Sequence, residues 1–198
     1  MSRLIEFIKT YASNIVRFLT NQIVCSILGI SVGFATIAFG NLALSVVGCI
    51  FTIGFICFLQ YDNLFQLGEK HHFKHVDQAR PAKSLGFKIA LLSSVPLFVL
   101  IAVGFVLQVS SLEDAAAVCK LIYYAIHGPY IQLHALLIDA GVLTAESLLS
   151  QCIGWLFYLL YTVPVILFSA LGYVLGSKDR PIRSLFGLNY SEKKNTDR

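Results

Sequence analysis

Residues 61–88 read YDNLFQLGEKHHFKHVDQARPAKSLGFK. This is the one long polar stretch inside an otherwise apolar chain, and an apolar block lies on each side of it. Its reading decides the fold: a basic loop joining two membrane hairpins. The chain has 198 residues, of which 57% are hydrophobic and 13% charged, with a mean hydropathy of +0.74. A water-soluble domain carries about a quarter charged residues, so the polar surface of a soluble fold is missing.

The charges are confined as well as few. Residues 18–61, 89–112 and 147–177 contain no Asp, Glu, Lys or Arg. A helix crossing the hydrocarbon core needs about 20 apolar residues. The first run is long enough for two spans and each of the others for one, and in lipid such runs must be helical. The expected fold is therefore all-α: a four-helix transmembrane bundle with an N-terminal amphipathic helix and short exoplasmic helices. The expected divisions are an amphipathic helix over 1–21, a transmembrane hairpin over 22–60, the loop 61–88, a third span over 89–109, an exoplasmic segment over 110–150, a fourth span over 151–176 and a basic tail over 177–198.

In residues 3–20, Arg3, Glu6, Thr10, Ser13 and Arg17 recur on one helical face and Leu4, Ile8, Tyr11, Ile15 and Leu19 on the other. Such a helix lies in the membrane interface or packs on its own protein's loops. It has no signal-peptide cleavage pattern and is expected to be retained. Gly40-Asn41 forms a tight turn between the first two spans. Gly29 and Gly33 form a GxxxG on one of them, and Ser45, Gly48 and Thr52 a small stripe on the other; small residues let helices approach closely in lipid. These faces serve an intramolecular hairpin or a homodimer. Gly172 and Gly176 repeat the pattern on the fourth span.

Tyr61, Trp155 and Tyr173 stand at span ends, where amphipathic aromatics collect. Pro96, after Ser93-Ser94, bends the third span, and the serines can satisfy the freed carbonyl. Ser110 and Glu113 have capping-box spacing for a helix over 111–126. Residues 121–138 are free of formal charge, but Gly128-Pro129 interrupts them, and His127, Gln132 and His134 are costly in lipid. The segment is read as surface-lying or partly re-entrant.

Orientation separates four spans from five. With four, Lys120 alone among the 15 Lys and Arg residues falls on the outer side. That is a positive-inside distribution and puts both termini on the cytoplasmic side of the cell membrane.

The loop motif Tyr61-Asp-x-Leu-Phe65-x-x-Gly68-Glu69-Lys70, with Val76, Arg80, Gly86-x-Lys88 and Ser93 to Pro96, goes with Gly172-Tyr173-x-Leu-Gly176-x-Lys178 at the end of the fourth span. Together they resemble a group of uncharacterised four-span membrane proteins of Gram-positive bacteria. The resemblance implies the topology and a bacterial setting, and no activity. His71 stands where those proteins commonly carry Asp.

Candidate chemistry is sparse. On a helix, His71 and His75 share a face at i, i+4, a spacing that can hold a transition metal, with Glu69 as the nearest third ligand; Lys70 and Lys74 interleave and oppose a cation. Lys70, Lys74, Arg80, Lys83 and Lys88 face lipid headgroups or a cytoplasmic partner. Ser93, Ser94, Pro96, Tyr158, Tyr161, Thr162 and Pro164 can line a polar cavity between two proline-bent helices. The five cysteines, Cys25, Cys49, Cys57, Cys119 and Cys152, show no metal spacing, and Cys119 and Cys152 could pair on the outer side. No P-loop, G-x-G-x-x-G, nucleophile elbow or nucleic-acid module occurs, and the net charge of +4 reads as topology. The expected role is that of a non-catalytic membrane accessory or interaction protein without a cofactor. It would work with membrane lipids and a protein partner or a second copy. A pore or transporter subunit is the second reading and a membrane-embedded enzyme the third.

Overall fold

The computed structural model describes residues 2–74, 82–143 and 148–179. Seven α-helices and one 3₁₀ turn account for nearly all of them: α1 Ser2–Phe39, α2 Leu42–Lys74, α3 Leu85–Ser93, α4 Val95–Val109, α5 Glu113–Ile126, the turn Gly128–Tyr130, α6 Ile131–Asp139 and α7 Leu148–Gly176. Three helices are long and apolar enough to cross a membrane, in α1, α2 and α7, and α3 with α4 makes a fourth if the pair is one span.

At 38 and 33 residues, α1 and α2 are about 57 and 50 Å long, well beyond a hydrocarbon core of about 30 Å. They pair antiparallel from end to end. Gly40, at φ +59°, closes α1, and the Asn41 side chain accepts from the N–H groups of Ala43 and Leu44 at 2.9 and 3.3 Å, capping α2. Away from that turn, Gln60 Nε2 donates to the Phe18 carbonyl at 2.8 Å and Asn63 Nδ2 to that of Asn14 at 3.3 Å. Arg17 donates to Gln66 at 2.9 Å beside Asp62. Two sequence expectations change here. Helix α1 runs through residue 21 without a break, and its amphipathic part packs on the extension of α2. Residues 61–74, expected as loop, are the last turns of α2, because Leu64, Leu67 and Gly68 continue a buried helical face that α7 covers.

Helices α3 and α4 meet at a 45° bend. The pair traverses the bundle: Gly86 packs on Tyr173 and Gly104 on Trp155, so it passes the same length of α7 in the opposite direction. The hydroxyls of Ser93 and Ser94 donate to the Ile89 and Ala90 carbonyls at 2.8 and 2.9 Å, not to the Leu92 carbonyl four residues before Pro96. Ser111, at φ +58°, ends α4 in a left-handed turn, with the Leu112 N–H donating to the Leu107 carbonyl at 3.0 Å. That turn makes Ser110 the C-cap of α4, so α5 starts at Glu113 behind Leu112 with no side-chain cap.

The aromatic residues read as interface markers point inward instead. Trp155 and Tyr173 are each 1% exposed and Tyr61 is 6% exposed. Gly104 and Gly86 supply the hollows that hold Trp155 and Tyr173, and Gly172 packs on the Tyr61 main chain.

Candidate functional site

The segment between α4 and α7 buries its middle, His127–Tyr130, in the bundle, while one face of α5 stays exposed. Helix α5 enters beside Trp155, where the Lys120 ammonium lies 5.8 Å from the indole centroid. One turn deeper, Tyr123 stacks on Tyr158 at 4.4 Å. At the 3₁₀ turn Tyr130 stacks on Tyr161 at 5.2 Å. Helix α6 then returns: His134 lies 5.0 Å from Tyr158. The segment enters and leaves by the same end of the bundle, a hairpin whose turn, Gly128–Tyr130, is buried among the long helices.

Small residues make room for the turn. A Cβ on Gly29 would meet the Pro129 nitrogen at 2.5 Å, and one on Gly128 would overlap the Ser26 backbone. The Ser26 hydroxyl donates to the Ile126 carbonyl and accepts from the Gly128 N–H at 3.0 Å. Thr52 Oγ1 lies 3.3 Å from the Pro129 carbonyl, and Gln132 Nε2 donates to Thr36 Oγ1. Non-helical backbone away from water needs partners for every N–H and C=O, and these side chains supply several. The Gly29/Gly33 stripe thus does a different job from the one its spacing suggests. It receives the hairpin at Gly29, whereas Gly33 makes only ordinary contact with Gln132 at 3.5 Å. Gly48 is shared, with Val32 at 3.0 Å and Gln132 at 3.2 Å; Ser45 is half-buried.

Around the turn is a cluster of nine aromatic and imidazole rings from α5, the turn and its flanking His127, α6 and α7. Its polar edge is a chain of contacts: the Tyr124 and Tyr158 hydroxyls lie 2.7 Å apart, and His134 is 3.4 Å from Tyr158 and 3.5 Å from Tyr161. Its deep part is less satisfied. His127 is fully buried, stacked on Tyr130 at 4.9 Å and 11°. Among the described residues neither of its ring nitrogens has a partner in hydrogen-bond geometry, although the Tyr161 backbone is near. The Tyr130 hydroxyl lies beside the Cys57 and Cys49 thiols, and neither it nor Gln132 Oε1 has a described partner in bonding geometry.

The residues expected to line one cavity fall into two groups. Ser93 and Pro96 border a small apolar cavity of about 170 Å³ with Leu19, Gln22 and Ile126. Tyr158 and Tyr161 belong to the ring cluster. Ser94 is buried at the bend, Thr162 donates back to the Leu159 carbonyl at 2.7 Å, and Pro164 is half-buried in α7.

At the opposite end of the bundle, α2 and α7 interlock through glycines. Gly172 lies on the Tyr61 carbonyl, Gly176 on that of Phe65, and Gly68 on that of Tyr173, where a Cβ would come within 2.5 Å. Tyr61, Phe65 and Gly68 of one motif therefore meet Gly172, Tyr173 and Gly176 of the other at one packing surface. His71 Nδ1 contacts the Tyr173 hydroxyl at 3.1 Å. Lys70 and Lys88 are exposed, Lys74 ends α2 and Lys83 borders a cavity at this end. His75 and Arg80 lie outside the described residues, and among those described no three His, Cys, Asp or Glu side chains are placed to hold a metal. All five cysteines are free, Cys119 and Cys152 included.

Sequence reasoning missed Ser26, Thr36, Gly68, Gly86, Gly104 and Tyr123. Small residues in charge-free helices were the available signal, but spacing alone does not say which neighbour fills the space. Comparison of the chain with protein-family models, with curated proteins and with solved structures returns no match in any of the three.

Proposed function

We propose that this is a multi-pass protein of the cytoplasmic membrane, with four spans and both termini on the cytoplasmic side, acting as a non-catalytic accessory or interaction protein. Topology is supported by charge. Among the described residues Arg3, Lys9, Arg17, Lys70, Lys83, Lys88 and Lys178 gather at one end of the bundle, and Lys120 stands at the other. One observation carries the functional reading: the interior is closed by backbone-to-backbone packing, with Pro129 seated on Gly29 and Gly128 on Ser26. The polar groups nearest this plug, Ser26, Thr36 and Thr52, are spent on holding it. A bundle locked on itself in this way suits a scaffold that offers its outer faces to a protein partner or a second copy. Purification in mild detergent should yield a stoichiometric partner or a homo-oligomer, and proteoliposomes of the chain alone should pass no ions or small solutes. Flux through the isolated chain would overturn the reading.

The second reading, a pore or transporter subunit, is favoured by the unpartnered His127, Tyr130 and Gln132 atoms at the turn. Polar groups without protein partners in a buried site are where water or a solute binds. Under this reading, flux would appear on co-reconstitution with a partner and fall on substitution of His127.

A further inference from the structure

The C-terminal turn of α2, the start of α3 and the end of α7 enclose a cavity of about 440 Å³ at the basic end of the bundle. Among the described residues it is lined by His71, His72, Ala82, Lys83, Tyr173, Ser177 and Lys178, and by no carboxylate. We propose that this cavity binds a phosphate group, carried either by an anionic lipid headgroup or by a free phosphate.

The argument is one of charge and donors. Two ammonium groups, the His71–Tyr173 pair and His72 border one hollow. The ammoniums donate to an oxyanion outright, and the His71–Tyr173 pair, after its mutual bond at 3.1 Å, keeps one N–H or O–H to offer. Glu69 and Asp179, the acidic residues closest in sequence, do not border it. The C-terminal end of a helix carries partial negative charge and would oppose an anion. At α7 that charge is covered. The Tyr173, Leu175 and Gly176 carbonyls accept from the N–H groups of Ser177, Lys178 and Asp179 at 2.9, 3.1 and 2.9 Å. The Val174 carbonyl accepts from the Ser177 hydroxyl at 2.8 Å and the Ser177 carbonyl from His72 Nδ1 at 3.1 Å. That last bond sets the His72 tautomer: the proton is on Nδ1, and Nε2 becomes a second donor when the ring is protonated. Position agrees with charge. The cavity sits where the candidate spans end and the basic residues gather, the level at which lipid phosphates lie in a bilayer.

The test uses the full chain purified in detergent and, separately, in nanodiscs. Inorganic phosphate is titrated calorimetrically, and retention of phosphatidylglycerol against phosphatidylcholine is measured by native mass spectrometry. The K83Q/K178Q variant should lose affinity by at least about tenfold, as expected from removing two charges next to a phosphate. The R3Q/K9Q variant, which removes two exposed charges that do not line the cavity, should bind as the native chain does. Both variants should melt like the native chain. Saturable binding of inorganic phosphate assigns the site to free phosphate; selective retention of phosphatidylglycerol alone assigns it to a headgroup. No saturable binding of either probe, or an equal loss in both variants, overturns the proposal.

Discussion

Gly172 lies so close to the Tyr61 carbonyl that any Cβ on the glycine would overlap the oxygen. Tyr61 begins the stretch that reads as a loop, and Gly172 lies near the end of the last span, so this contact turns two distant motifs into one helix pair. Gly176 on Phe65 and Gly68 on Tyr173 extend it by a further turn of each helix.

Gly172→Ala should therefore destabilise the protein. The obstacle is backbone and cannot rotate away, so the cost should be about 2 kcal/mol, as is typical of overpacking. Gly54→Ala and Gly154→Ala, whose added methyls meet nothing within 4 Å, should leave the melting temperature in detergent unchanged or slightly raised. Equal effects at all three positions would refute the packing assignment.

The two glycines of the first GxxxG should behave differently. Gly29→Ala drives a methyl into Pro129, whereas Gly33→Ala makes a normal contact at 3.5 Å with a flexible Gln132 side chain. Hydrogen exchange over residues 126–132 should accelerate in the first variant and stay native in the second. A face that merely joined α1 to α2 or to a second copy would leave residues 126–132 unaffected by either change.

His127 offers a test of the buried cluster. Phe at this position keeps a ring to stack on Tyr130 and removes two polar atoms that lack partners, each of which costs about 1–3 kcal/mol when buried. His127→Phe should hold or raise the melting temperature in detergent. A clear fall would mean that a bound water or solute satisfies the imidazole, which is the outcome the transport reading requires.

Much of the helical content was legible because it depends on composition. Runs without charge had to become helices, and Pro96 had to bend one of them. Which way each residue faces was not legible. Trp155 and Tyr173 sit at span ends, as interface aromatics do, but the rotation of α7 is set by the hollows at Gly104 and Gly86, which no local pattern announces. Loop and helix were confused over 61–74 because polar residues such as Asp62 and Glu69 hid the buried face of Leu64, Leu67 and Gly68. The hairpin was half legible. His127 and Gln132 are costly in lipid, but burial in protein shields them from it. The side chains that hold the turn, Ser26 on Gly128 and Thr36 on Gln132, lie about a hundred residues away.

In the proposed topology residues 113–139 enter the bundle and leave by the same end, so that four segments cross the membrane and not five. Single cysteines placed at Ser111, Ala140 and Asp179 in a background without the native cysteines can be labelled in intact cells with an impermeant maleimide. All three native positions are exposed. Ser111→Cys and Ala140→Cys should react from outside, and Asp179→Cys only after the cells are permeabilised. Reaction of Ser111→Cys and Ala140→Cys from opposite sides of the membrane would contradict the account.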